Sequence, residues 1–200
     1  MSGFLIVLAA AAAGGALYRL RGGWLKTLAG IGSTQVCRAV WALPTAGLIW
    51  WLAGGPWWLA LALVATVFAS MALIGHGAHM IMDAELMAHG RFEKTELLTR
   101  WLPKVLGGEP DPAWLDDGDA TDVIAYNVIG MSFIGVVRNA LAITPLAAFA
   151  PVPAALYAAT GLAHGPLYWL GWKITPDIRA AEVLVGAVSW AAIVILFGRF

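Results

Sequence analysis

Two hundred residues carry 60% hydrophobic side chains, a mean hydropathy of +0.78 and only 12% charged residues. A soluble domain is usually about 45–50% apolar and about 25% charged, so disordered, fibrous and ordinary soluble classes fall away. Zero formal net charge leaves no global basic field for nucleic acid, and the single cysteine, Cys37, excludes an intrachain disulfide and any Cys-rich metal site.

The class this predicts is an all-α polytopic transmembrane helix bundle, a single membrane domain over residues 1–200, with the lipid bilayer as its first partner. A helical span needs about 20 mostly apolar residues. Six candidates follow in chain order: Gly3–Tyr18, Ala39–Leu52, Pro56–Gly75, Val123–Phe149, Ala154–Trp172 and Ala180–Gly198. Their apolar runs are continuous and longer than barrel strands of about 10 residues. Eleven tryptophans suit a chain with extensive membrane–water interfaces.

The first span is followed, not preceded, by basic residues, which is the pattern of an uncleaved anchor with its N-terminus outside. Ala9–Ala13 with Gly14 and Gly15 give it a small-residue face suited to close helix packing. Arg19, Arg21, Lys26 and Arg38 separate spans one and two. Arg91, Lys94, Arg100 and Lys104 separate three and four, and Lys173 and Arg179 separate five and six. The opposite turns, Ala53–Gly55 and Ala150–Pro153, carry no charge. The positive-inside rule makes the basic side cytoplasmic and both termini periplasmic.

After the third span comes Gly75-His76-Gly77-Ala78-His79-Met80-Ile81-Met82-Asp83-Ala84-Glu85. On a continued helix His76, His79 and Asp83 fall within about 60° of one another, with Glu85 opposite. Two imidazoles and a carboxylate are ligand types of a Zn or non-haem Fe site. They would also serve as a proton-moving pair, or simply as a polar helix end. The spacing matches no strong metal motif, so no metal and no cofactor is expected.

Residues 91–122 form the sizeable polar stretch. Leu97, Leu98, Trp101, Leu102, Val105 and Leu106 share one helical face, while Glu93, Glu96, Arg100 and Lys104 share another. That pattern predicts one cytoplasmic amphipathic interfacial helix, ended by Gly107-Gly108, Pro110 and Pro112. The acidic loop after it, Asp116 to Asp122, lacks EF-hand spacing and reads as solvated, with Asp119 or Asp122 capping span four.

Arg138 lies near the middle of that span, where a guanidinium costs about 2.5–3.5 kcal/mol on insertion scales. Asn127 shares nearly the same face and Asn139 is adjacent. The expected ionic partner is Glu182, early in the last span, with Asp83 second. A register-fixing ion pair is the structural alternative. A break in the span at Arg138, favoured by Pro145, Pro151 and Pro153, is another.

His164 lies in the fifth span. Gly130-Met131-Ser132 resembles the serine motif of intramembrane rhomboid proteases, yet Phe133 stands near it where they carry glycine, and His164 falls in the wrong relative span. A faint internal echo relates Arg38, Pro44 and His76-Gly77 to Arg138, Pro145 and His164-Gly165-Pro166, as in transporters built from repeats.

Tyr18-Arg19-Leu20-Arg21-Gly22-Gly23 after an apolar helix, with Gly75-His76-Gly77 and Met82-Asp83 after a Trp-rich hairpin, resembles uncharacterised small polytopic membrane proteins of tailed-phage and prophage genomes. The resemblance covers the first half of the chain and implies a bacterial inner membrane and a role in phage–host interaction. Read from the residues themselves, Arg19 and Arg21 are placed to meet lipid phosphates.

Three function classes fit. The first is a small transport or permeation protein for a small-molecule or ion substrate, with a polar path through Arg38, His76, His79, Asp83, Asn127, Arg138, His164 and Glu182. The second is a membrane enzyme acting on a lipid or other membrane-borne substrate at the cytoplasmic face. The third is a phage-type protein that binds a host membrane protein or a second copy of itself without catalysis. The spread of polar residues along several spans favours the first.

Overall fold

A computed structural model describes residues 2–21, 34–71, 120–174 and 178–198. The described residues are all-α: α1 (Ser2–Arg19), α2 (Thr34–Ala53), α3 (Trp57–Met71), α4 (Ala120–Ile143), α5 (Pro151–Ala159), α6 (His164–Ile174) and α7 (Ile178–Phe197). Two stretches are long and apolar enough to cross a membrane, Gln35–Ala53 and Val128–Leu146; Gly3–Arg19, Trp57–Met71 and Ala181–Phe197 are shorter apolar helices. The amphipathic stretch from Arg91 and the cluster His76, His79 and Asp83 lie outside the described residues.

α3 and α4, α4 and the α5–α6 segment, and α1 and α7 pack antiparallel, and single side chains fix the register. Between α2 and α3 the chain reverses through Gly54 (φ 73°) and Gly55 (φ 131°), a conformation that costs L side chains steric strain. Trp50 Nε1 fastens this turn by donating to the carbonyls of Gly55 and Pro56, both at 3.2 Å. Thr66 Oγ1 of α3 donates to the Ala142 carbonyl of α4 at 2.8 Å. Pro44 sits inside α2 without ending it. Its ring removes one N–H, a loss that an apolar helix tolerates when its neighbours cover the backbone.

α4 runs unbroken through Arg138 and stops at Ile143, six residues before the expected end at Phe149. Pro145 explains the stop: without an N–H it cannot extend the ladder, and Thr144–Leu146 tighten into a 3₁₀ turn. The expected break at Arg138 is absent. Pro151 opens α5 and Pro153 lies in its first turn, where helix N–H groups have no intrahelical acceptor anyway.

The fifth span is not the single helix expected over Ala154–Trp172. α5 and α6 are joined by a 3₁₀ turn, Thr160–Ala163. Two causes are visible. Pro166 withholds the N–H that would meet the Leu162 carbonyl, and Asn139 of α4 donates to the Tyr157 carbonyl (3.3 Å) and to Thr160 Oγ1 (3.2 Å) at the tightened turn. The backbones of α4 and this turn touch at Gly135 and Gly161: a Cβ on either would overlap the other strand of backbone. That contact brings His164 against α4.

α1 packs on α7 in the same manner. Gly14 faces Gly186 and Trp190, and Gly15 faces Val183 and Ala187. The buried core is built from Trp41, Ile49, Leu59, Leu63, Met131, Leu146, Val185 and Ile193 with their neighbours. Large apolar side chains also point outward. Trp51 is 74% exposed, Phe4 72% and Trp57 71%, and they belong to a broad set spread over the helices.

Candidate functional site

Arg138 is 1% exposed, on the inner face of α4. Its Nη1 lies 3.4 Å from His164 Nε2, and its Nη2 lies 3.7 Å from the Met71 sulfur. The guanidinium carbon stands 5.9 Å from the Tyr18 ring centre and 6.0 Å from that of Trp41. Both distances are at the outer edge of useful cation–π attraction. Five helices thus meet at one side chain: α1, α2, α3, α4 and α6.

An arginine only donates hydrogen bonds, so His164 Nε2 must accept. The imidazole is then neutral, with its proton on Nδ1, a tautomer assigned from the hydrogen-bond roles. Nδ1 has no hydrogen-bond partner, and neither do Arg138 Nε and Trp41 Nε1, all buried. Among the described residues no carboxylate pairs with Arg138.

The expected Arg138–Glu182 pair is not formed. Glu182 Oε2 lies 3.5 Å from Arg19 Nη1 and its Oε1 lies 3.4 Å from Arg21 Nη2. Glu182 stands on the second turn of α7, and antiparallel packing sets that turn beside the end of α1, where both arginines lie. The same contact corrects the lipid-phosphate reading of Arg19 and Arg21, whose side chains are only 11% and 15% exposed. Arg21 also stacks on the Tyr18 ring at 4.3 Å, and Tyr18 Oη lies 3.3 Å from Tyr168 Oη. Tyr18 therefore links the two charged groups: Arg21 at its face, Arg138 further in.

Of the remaining candidates, Arg38 is half-buried on α2 and Asn127 lies on α4 three turns before Arg138. Ser132 sits beside Gly165, and His164 turns its Nε2 to Arg138 instead of the serine. Trp41, Tyr18 and Met71 escaped the sequence reading because aromatic and thioether side chains in apolar helices look like core. The signal available was amphipathicity: a buried indole or phenol carries a polar atom that needs an acceptor.

Compared with family models, curated proteins and solved structures, the chain matches none. Among the described residues no three His, Cys, Asp or Glu side chains come together as a metal site would require.

Proposed function

We propose that the chain is a small integral protein of the bacterial inner membrane, with six spans and both termini periplasmic, that provides a permeation path for a small polar solute. α5 and α6 form the fifth span as one bent unit. The outward apolar side chains, the alternating helix directions and the one-sided distribution of Lys and Arg support the membrane reading.

The observation that carries permeation is the buried Arg138–His164 contact. An ionisable side chain inside apolar helices is costly and is a functional-site hypothesis by default. A purely structural arginine is expected to take a carboxylate, as Arg19 and Arg21 do, but Arg138 is held by a neutral imidazole and a thioether. The enzyme reading rests on His76, His79 and Asp83, which lie outside the described residues, so no observation raises it above permeation.

The test is reconstitution of the full chain into liposomes, with shrinking and re-swelling followed by light scattering in a panel of neutral, cationic and anionic solutes. Permeability to one solute class above that of empty liposomes, reduced by Arg138→Gln, is the expected result. Liposomes as tight as protein-free ones to every solute would reject the proposal.

A further inference from the structure

We infer that Arg138 is the centre of a buried site for a small monovalent inorganic anion, such as chloride or nitrate, with Trp41 as an additional N–H donor. This deepens the permeation reading by naming its solute class, and it rests on that reading only for the claim that the anion moves.

Arg138 is permanently protonated and 1% exposed, and among the described residues no carboxylate neutralises it. Burying an unpaired charge is far costlier than burying a paired one. The Tyr18 and Trp41 rings near it offer quadrupoles, not lone pairs.

The unsatisfied atoms beside the guanidinium share one polarity. Arg138 Nε and Trp41 Nε1 are buried N–H groups without hydrogen-bond partners. Both are donors only, whereas His164 accepts from Arg138 at Nε2 and turns its Nδ1 to the Gly135 backbone. Trp41 and His164 are both neighbours of the guanidinium. One acceptor, Asn139 Oδ1, is also unpartnered, but its amide is turned to Tyr157 and Thr160, so the free groups beside the guanidinium are N–H. Anions are the ligands that answer several N–H donors and a guanidinium at once.

Tyr18 and Trp41 are fully buried, Met71 and His164 are 2% exposed, and the His164 ring lies against the Gly135 backbone. Walls this closely packed suit an ion of a few atoms and exclude an organic acid or a lipid headgroup.

The experiment uses the full chain in detergent at constant sodium concentration, with chloride or nitrate replacing gluconate, and reads thermal unfolding. A ligand that binds only the folded state raises stability as its concentration exceeds the dissociation constant. The expected result is a saturable upward shift of about 3 °C or more with chloride or nitrate, none with gluconate, and none with either in Arg138→Gln. Trp41→Phe, which keeps the charge, should raise the half-saturating concentration about tenfold, the effect of losing one hydrogen bond to an ion. If Arg138→Gln does not survive purification, Trp41→Phe carries the comparison. No saturable difference between chloride and gluconate in the wild type, or an identical one in Arg138→Gln, overturns the inference. Saturable binding without chloride efflux from liposomes upholds the site and removes permeation. Flux of another solute without anion binding does the reverse.

Discussion

Arg138 of α4 and His164 of α6 meet at 3.4 Å because two glycines, Gly135 and Gly161, let the helix backbones touch one turn away from the contact. The imidazole starts α6 just after a 3₁₀ turn, so its direction is set by the bend. Fold and site therefore depend on one another here: widening the α4–α5/α6 contact moves His164 off the guanidinium.

Gly161→Ala is accordingly expected to destabilise the protein by several kcal/mol, since its Cβ would land on the Gly135 backbone, which cannot move aside as a side chain can. Gly47→Ala is the control. Nothing lies within 4 Å of a Cβ there, and a mid-helix glycine replaced by alanine gains about 0.5–1 kcal/mol. Unfolding in detergent should show opposite signs for the two.

Glu182→Gln should cost about 3 kcal/mol, the usual effect of removing one member of a buried ion pair, because two largely buried arginines face that carboxylate. Arg19→Gln should cost less, since Arg21 still meets Glu182. Equal losses in thermal stability for the two variants would contradict the arrangement.

Double-mutant cycles should separate the two charged groups. The losses of Arg138→Leu and Glu182→Leu are expected to add, whereas Arg21→Leu with Glu182→Leu should show coupling of about 0.5–3 kcal/mol. Strong coupling between Arg138 and Glu182 would restore the pairing that the sequence suggested.

The sequence made the helices legible where apolar runs ended in charge. The first and last spans were placed within two residues of α1 and α7, and Arg138 was marked as needing a partner. The partner itself was not legible. Choosing Glu182 meant treating helices as straight rods and estimating depth from residue counts. The bend after α5 brings His164 inward, and the antiparallel seating of α1 on α7 commits Glu182 to Arg19 and Arg21. The signal for the bend was present in Gly161, Gly165 and Pro166, but Gly and Pro mark where a helix is weak, not the direction in which it turns. Met71 carried no signal of polarity, and the indole of Trp41 carried only its single N–H.

Topology has its own check. Reporter fusions at Gly55 and Gly108 are expected to report opposite sides of the membrane, with Gly55 periplasmic, because the charge-free turn and the basic stretch flank a single span. Both reporters on one side would remove the six-span reading.

The central claim is that a polar path reaches Arg138, and Cys37 is the sole cysteine, which makes that claim directly measurable. In a Cys37→Ser background, Met71→Cys puts a thiol where a sulfur now touches the guanidinium, and Ile49→Cys puts one in the fully buried apolar core. The protein in liposomes is then treated with slim inorganic thiol reagents, the anion dicyanoaurate(I) and the cation Ag+, with each rate expressed relative to free cysteine and labelling followed by mass. The account predicts that Met71→Cys is labelled, faster by the negative reagent, while Ile49→Cys is not. Protection of both positions, equal labelling of both, or faster reaction with the positive reagent would contradict it.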